Sequence, residues 1–230
     1  MNPTFYDGLF SEKHKILQGL MSAAAKKGAP VITEHLYKPR QDIFYTGTEP
    51  FGVYYIHSGI IKLFKSGKAG RQHITFMGGK GDLFGYRALL TGELYKVTAE
   101  SLLDSKIAFI EKEFFIDYLQ KDKLLVHLLL KSLSIELGEV EDRLVGAAQM
   151  PAEQRVARVL CFLMKNYGVH PDGFLGMELS RTDMSELSDT APETLMRYLG
   201  DLEKKKLILR EKKRIRILKP ELIQKEAGIP

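Results

Sequence analysis

Glu193 and Arg197 stand four residues apart in the stretch SRTDMSELSDTAPETLMRYLGDLEKKK, which runs from Ser180 to Lys206. A glutamate carboxylate can accept from the N4 amino group of cytosine, and an arginine guanidinium can donate two parallel bonds to guanine. On a helix that spacing puts both side chains on one face, where each can orient the other. Met196 beside them offers apolar contact of the kind that meets a thymine methyl group. The chemistry indicated is base reading in a major groove, which needs these side chains at the N-terminal end of a helix.

The flanking residues supply such a helix and a second one to hold it. Ser180 followed three residues later by Asp183 is a capping-box start, and Met184 and Leu187 give the first helix an apolar side. Asp189, Thr190 and Ala191 form a turn. Pro192 follows as a first helical residue, where a missing N–H costs nothing. Leu195, Leu199 and Leu202 then fall on one stripe of the second helix, and Glu193, Thr194, Met196 and Arg197 near its outer N-terminal end. The competing interpretation is an ordinary helical hairpin.

Charge is concentrated just beyond. The whole chain, 230 residues with a formal net charge of +5 and pI near 9.1, is only mildly basic. Between Lys204 and Lys219, however, nine lysines and arginines face one acid, Glu211. The interleaved Ile208, Leu209, Ile215, Ile217 and Leu218 alternate as the two strands of a hairpin would, which holds the charges on one surface. Phosphate contact is the functional reading, through Lys212, Lys213 and Arg214 together with Ser180, Arg181 and Thr194; a solvated basic tail is the alternative.

Several classes drop out on composition. The single cysteine, Cys161, lies in an apolar helical run and reads as a small core residue, and it precludes both an internal disulfide and a four-thiolate iron–sulfur cluster within one chain. No signal peptide and no run of about 18 apolar residues is present, so a cytoplasmic protein without membrane contact is expected. Neither a nucleophile elbow, a P-loop nor a metal-spaced His/Cys/Glu cluster marks an enzyme, and nothing in the spacing brings Asp82 and Glu100 together as a carboxylate pair. No metal site is expected.

Thr4 to Lys27 reads as one or two short helices. Short β-type runs follow: Asp42 to Tyr45, Val53 to His57, Ile60 to Lys65, Gln72 to Phe76, Val97 to Ser101 and Lys106 to Ile110. With glycines at the corners they predict a small antiparallel roll, jelly-roll-like. Between two of them, Gly85 to Leu90 reads as one short helical turn whose N–H groups could hold an anion. From Glu113 the chain turns helical. Val126, Leu130, Leu133, Leu137, Val140 and Leu144 recur at spacings of 4, 3, 4, 3 and 4, a coiled-coil seam suited to pairing two chains. A second set, Leu125, Leu128, Leu129 and Ile135, can pack the same helix on its own roll. The helix should break near Pro151, with another from Ala152 to Asn166. The expected α+β division is therefore an effector-type roll over residues 1–112, a dimerisation helix and hinge over 113–149, and a winged helix-turn-helix over 150–230.

This order resembles the Crp/Fnr family of bacterial transcription regulators. Tyr54-Tyr55-Ile56-His57-Ser58-Gly59-Ile60-Ile61-Lys62-Leu63, Gly81-Asp82-Leu83-Phe84-Gly85, Arg155-Val156-Ala157-Arg158-Val159-Leu160 and the helix-turn-helix carry the likeness, which covers nearly the whole chain. By that resemblance the base-reading positions are Pro192, Glu193 and Arg197 in the pattern of the cyclic AMP receptor, or Glu193, Met196 and Arg197 in the Fnr-like pattern. Arg40 departs from the family at a strand-opening turn that usually carries glycine.

The resemblance also places an effector pocket at Gly85, Tyr86, Arg87, Tyr95, Lys96, Val140 and Glu141. Members that bind cyclic AMP have glutamate where this chain has Tyr86, for the ribose. They have arginine followed by serine or threonine where it has Tyr95 or Lys96, for the phosphate, and a hydroxyl pair at Val140-Glu141. All three contacts are changed, and a lysine lacks the planar bidentate fork. Cyclic AMP is therefore not the expected effector, although Arg87 and Lys96 leave room for another anion. Haem would need axial ligands, for which His57 and His73 are the candidates, and a lone strand histidine is more often structural. The expected function is a homodimeric DNA-binding transcription regulator on an inverted-repeat site, with double-stranded DNA as partner and RNA polymerase as a further candidate. The alternative is a ligand-binding module acting through protein contacts, with a degenerate winged helix.

Overall fold

The computed structural model describes residues 19–24, 31–67 and 72–229. It divides into two compact units, one running to Leu137 apart from residues 71–73, the other from Gly138 to the end. Of the helices expected between Thr4 and Lys27, only the turn α1 (residues 19–24) lies among the described residues.

The first unit is a roll of two four-stranded antiparallel sheets. One has the order β1-β8-β3-β6, from Ile32–Tyr37 (β1), Ser105–Glu111 (β8), Gly52–Ser58 (β3) and Leu83–Phe84 (β6). The other has the order β2-β7-β4-β5, from Asp42–Phe44 (β2), Thr98–Ser101 (β7), Ile61–Ser66 (β4) and Gln72–Gly78 (β5). β1 and β6 were not expected. β1 is an edge strand with three consecutive exposed residues, Glu34, His35 and Leu36, so it lacks clean alternation; β6 has only two residues. Val53, Tyr55, Ile56, Ile107, Ala108 and Ile110 are buried between the sheets and the helices that cover them.

The single helical turn after Gly85 is α2 (Tyr86–Thr91), and its first cap depends on glycine. Gly85 has φ +84°, and a Cβ there would lie 3.2 Å from the Tyr54 ring. The helical region from Glu113 is two helices, not one: α3 (Lys112–Lys121) and α4 (Lys123–Gln149). Asp122 between them is extended, and its carboxylate accepts from the Leu125 N–H at 2.9 Å, so it ends α3 and caps α4. Leu125, Leu128 and Leu129 pack with Phe114, Phe115, Tyr86 and Leu89 in one apolar cluster. Among the described residues no helix is long and apolar enough to cross a membrane.

The second unit begins with the rest of α4 and continues through α5 (Ala152–Tyr167), α6 (Arg181–Leu187), α7 (Pro192–Lys204), the antiparallel hairpin β9 (Ile208–Glu211) and β10 (Arg214–Ile217), and α8 (Pro220–Glu226). Val156, Leu160, Leu163, Leu195, Leu199, Leu202, Ile215 and Ile223 form its interior. This is the winged helix-turn-helix, with β9–β10 as the wing.

Candidate DNA-reading surface and effector site

The capping residues behave as their types require. The Ser180 hydroxyl accepts from the Asp183 N–H at 3.0 Å and in turn donates to the Asp183 carboxylate, so α6 starts there. Met184 is buried and Leu187 partly so. The turn to α7 puts Asp189 at φ +49° and buries Thr190, whose hydroxyl lies 2.8 Å from that of Ser188. Pro192 occupies the first turn of α7. Leu195, Leu199 and Leu202 are inaccessible, whereas Glu193, Met196 and Arg197 are exposed and Thr194 is half-buried. The three base-reading candidates thus share the outer N-terminal face.

Glu193 and Arg197 do not orient each other. The Arg197 guanidinium lies 3.5 Å from the Glu153 carboxylate in the first turn of α5. Among the described residues no cation is paired with Glu193. The i, i+4 geometry allows their pairing, but the packed α5 brings a competing carboxylate that no local spacing shows. Arg155, two residues on, has a larger role. It donates to the Met150 carbonyl at 2.8 Å, to the Ser188 carbonyl at 3.1 Å and to the Asp189 carbonyl at 2.8 Å. One side chain therefore ties the α4–α5 break to the α6–α7 turn.

The basic run is partly neutralised. Arg210 donates through Nε and Nη2 to one oxygen of Glu203, at 2.9 and 2.7 Å, and its backbone N–H donates to the other oxygen of that carboxylate. Arg214 lies 3.8 Å above the Phe174 ring and within 3.4 Å of Asp172, and Lys205 pairs with Glu226 at 2.8 Å. Lys212 and Lys213, between the wing strands, are exposed. Arg181 is half-buried and donates to the Lys212 carbonyl at 2.9 Å. The expected alternation holds for Ile208, Ile215 and Ile217, which are buried, but leaves Leu209 and Leu218 outside.

The effector positions Tyr86, Tyr95 and Lys96 are each engaged by neighbours of their own. Tyr86 is 97% buried and its hydroxyl donates to the Glu136 carboxylate of α4 at 2.9 Å, while Arg87 approaches the same carboxylate at 3.8 Å. Burial first, and Glu136 second, push the Tyr86 phenol well above its ordinary pKa. Tyr95 is also buried, stacked on Phe44 with ring centroids 3.8 Å apart, and its hydroxyl donates to the Gly52 carbonyl. Beside it the Tyr54 phenol is pushed up to about 12, chiefly by burial. Lys96 faces outward and pairs with Glu93 at 2.7 Å. Val140 and Glu141 are exposed on α4. Tyr95 and Lys96 do line a separate cleft of about 770 Å³ together with Leu89, Lys65 and Lys112. At the positions that the resemblance assigns to a cyclic nucleotide, Tyr86 has an aromatic ring in place of the ribose acceptor, and neither Tyr95 nor Lys96 has the planar fork that suits the phosphate.

His57 and His73 are the candidate haem ligands. His57 has its Nε2 3.2 Å from Glu34, with burial lowering its pKa, and His73 lies on β5. Cys161 is half-buried, with its thiol pushed up to about 11 by burial. It is a poor nucleophile there.

Residues 34–122 match the model of the cyclic nucleotide-binding domain, and residues 154–226 match that of the Crp-like helix-turn-helix domain. The chain belongs to the Crp/Fnr family of transcription regulators. It is 26% identical over 221 residues to the global nitrogen regulator of Nostoc sp., covering 92% of this chain and 96% of that one. It is 28% identical over 192 residues to the fumarate and nitrate reduction regulatory protein of Vibrio cholerae, with 82% and 76% covered. In fold it resembles FixK2 from Bradyrhizobium japonicum, with TM-score 0.74 and 21% identity over 85% of this chain and 96% of that one. As a Crp/Fnr regulator it is not an enzyme. Sequence reasoning missed Glu136, Glu153 and the three-way clamp of Arg155. Arg155 stands in a motif that carries the family resemblance, but two of its three partners lie 33 and 34 residues downstream, and the third lies across the α4–α5 break.

Proposed function

We propose that this Crp/Fnr regulator binds an inverted-repeat DNA site as a homodimer, reading each half-site with Glu193, Met196 and Arg197. The observation that supports it is the split character of α7, with its three leucines inaccessible and those three side chains exposed on one N-terminal face. Ser180, Thr194, Lys212, Lys213 and Arg214 are the proposed backbone contacts. Pairing runs along α4, where Leu130, Leu137 and Leu144 are 59%, 60% and 72% exposed, too apolar a stripe to leave in water. Val140 lies within it and Val126 extends it. Leu133 is half-buried against the roll core, so it contributes less to pairing than the heptad suggests. The roll serves an effector other than cyclic AMP, or none. The division at residues 112 and 149 into effector roll, dimerisation helix and winged helix belongs to the same proposal.

Selection of bound duplexes from a random pool, followed by gel-shift titration, tests the base-reading claim. The selected half-sites should have centres about one turn, roughly 34 Å, apart. Arg197→Ala should cost about 1–3 kcal/mol on the selected duplex and relax one base position. Equal weakening on a scrambled duplex would reduce Arg197 to a partner of Glu153.

A further inference from the structure

The wing turn is built against its own sequence. Two residues, Lys212 and Lys213, join β9 to β10, whose Glu211 and Arg214 pair in register. Lys212 has φ +55°, a left-handed conformation that favours glycine in such hairpins. A lysine there needs an external hold, and the structure supplies one. Arg181, the first residue of α6, donates through Nη2 to the Lys212 carbonyl at 2.9 Å, and its Nη1 rests against the Met184 sulfur at 3.7 Å.

The hairpin is also fixed at its root. Glu203 near the end of α7 takes three bonds from Arg210, two from the guanidinium and one from the backbone N–H. Burial first, and the neighbouring Arg210 second, lower the pKa of the half-buried Arg181 guanidinium, and Glu203 opposes them. The wing is thus held at two points: Arg210 ties it to α7 and Arg181 ties it to α6. What projects beyond the second tie is two exposed ammonium groups.

We propose that Arg181 is the positioning residue of the wing: by holding the Lys212 carbonyl it fixes the tip turn and delivers the Lys212 and Lys213 side chains to the DNA backbone, rather than spending its own charge on a phosphate. The proposal rests on the DNA-binding function above. A lysine at residue 181 keeps the charge and loses the planar fork, so charge and positioning separate cleanly.

The experiment has one readout without DNA and one with it, on the full-length wild type, Arg181→Gln, Arg181→Lys and each with Lys213→Ala. Amide hydrogen exchange at residues 211 and 214, the pair that closes the wing turn, should be about tenfold faster in both Arg181 variants of the free protein, with exchange in α7 unchanged. On the selected duplex, Lys213→Ala alone should lower the salt slope by about one contact, and Arg181→Lys by about two. Adding Lys213→Ala to Arg181→Lys should then weaken binding less than twofold further. Unchanged exchange at the wing tip would overturn the proposal. So would full binding by Arg181→Lys, or a full additional loss from Lys213→Ala, since both are the marks of a direct phosphate contact. A wild type that binds no duplex overturns the DNA-binding function and charge delivery with it, whereas accelerated exchange with additive binding losses overturns delivery alone.

Discussion

Replacing Arg155 tests whether one side chain holds the helix-turn-helix together. Its guanidinium donates to three carbonyls, those of Met150, Ser188 and Asp189, at 2.8, 3.1 and 2.8 Å. A hydrogen bond from a charged donor contributes about 1.5–3 kcal/mol when well buried. Arg155 is only half-buried, so about 1 kcal/mol for each bond is appropriate, or about 3 kcal/mol for Arg155→Ala. For a unit of this size that is a fall in Tm on the order of 10 °C or more. Arg155→Lys can reach one carbonyl at a time and should recover about 1 kcal/mol. Urea unfolding followed by circular dichroism at neutral pH measures both. A loss below about 1 kcal/mol in Arg155→Ala, or complete recovery in Arg155→Lys, would show that water replaces the clamp at little cost. Because Asp189 sits in a left-handed turn directly before α7, DNA affinity should fall in Arg155→Ala even at temperatures where the protein stays folded.

Leu137→Glu sets like charges opposite each other in the proposed pairing stripe and should cost several kcal/mol of association, so sedimentation at micromolar concentration should show single chains; an unchanged two-chain mass removes Leu137 from the interface. Calorimetry with cyclic AMP should show nothing tighter than roughly millimolar, and micromolar affinity would mean that Tyr86 and Tyr95 leave a site open after all. Glu203 is held below its ordinary carboxylate value of 4.5 by the Arg210 backbone N–H first and its guanidinium second. Its contribution is therefore complete above that value and lost as pH falls through the lower folded one. The urea midpoint should drop on acidification below pH 4.5, and less steeply in Glu203→Gln; equal slopes would remove Glu203 from the acid limb.

Local signals located the helix-turn-helix because its chemistry is local. Ser180, Asp183 and Pro192 act on the backbone within three residues, and a leucine stripe at spacings of four and three has one buried side whatever it packs on. The same signals gave six of the roll strands, whose alternation follows from having one covered face. β1 escaped because its outward residues run consecutively at a sheet edge. The break at Asp122 was legible in principle, as an acid placed three residues before Leu125, but the helical pattern on both sides concealed it. Long-range pairing was not legible. Arg197 with Glu153, Tyr86 with Glu136 and Arg181 with Lys212 are joined by tertiary packing alone, and in each case the sequence names the side chain without its partner.

Arg40 carries a consequence for how such a chain can change over time. It occupies the turn where the family usually has glycine, and it does so at φ +69°, a conformation glycine adopts freely and arginine does not. In return its guanidinium reaches Glu100 at 3.1 Å, and Glu100 also faces the wholly buried Lys62 at 3.4 Å across the β4–β7 register. Reversion to glycine would relax the backbone while withdrawing one of the cations from a shielded carboxylate. Positions 40 and 100 are therefore not free to drift separately. Among descendants of this chain, glycine at 40 should keep Glu100 paired with Lys62, and an uncharged residue at 100 should travel with loss of the cation at 62, so that a turn on the surface and the charges inside the sheet are inherited as a single choice.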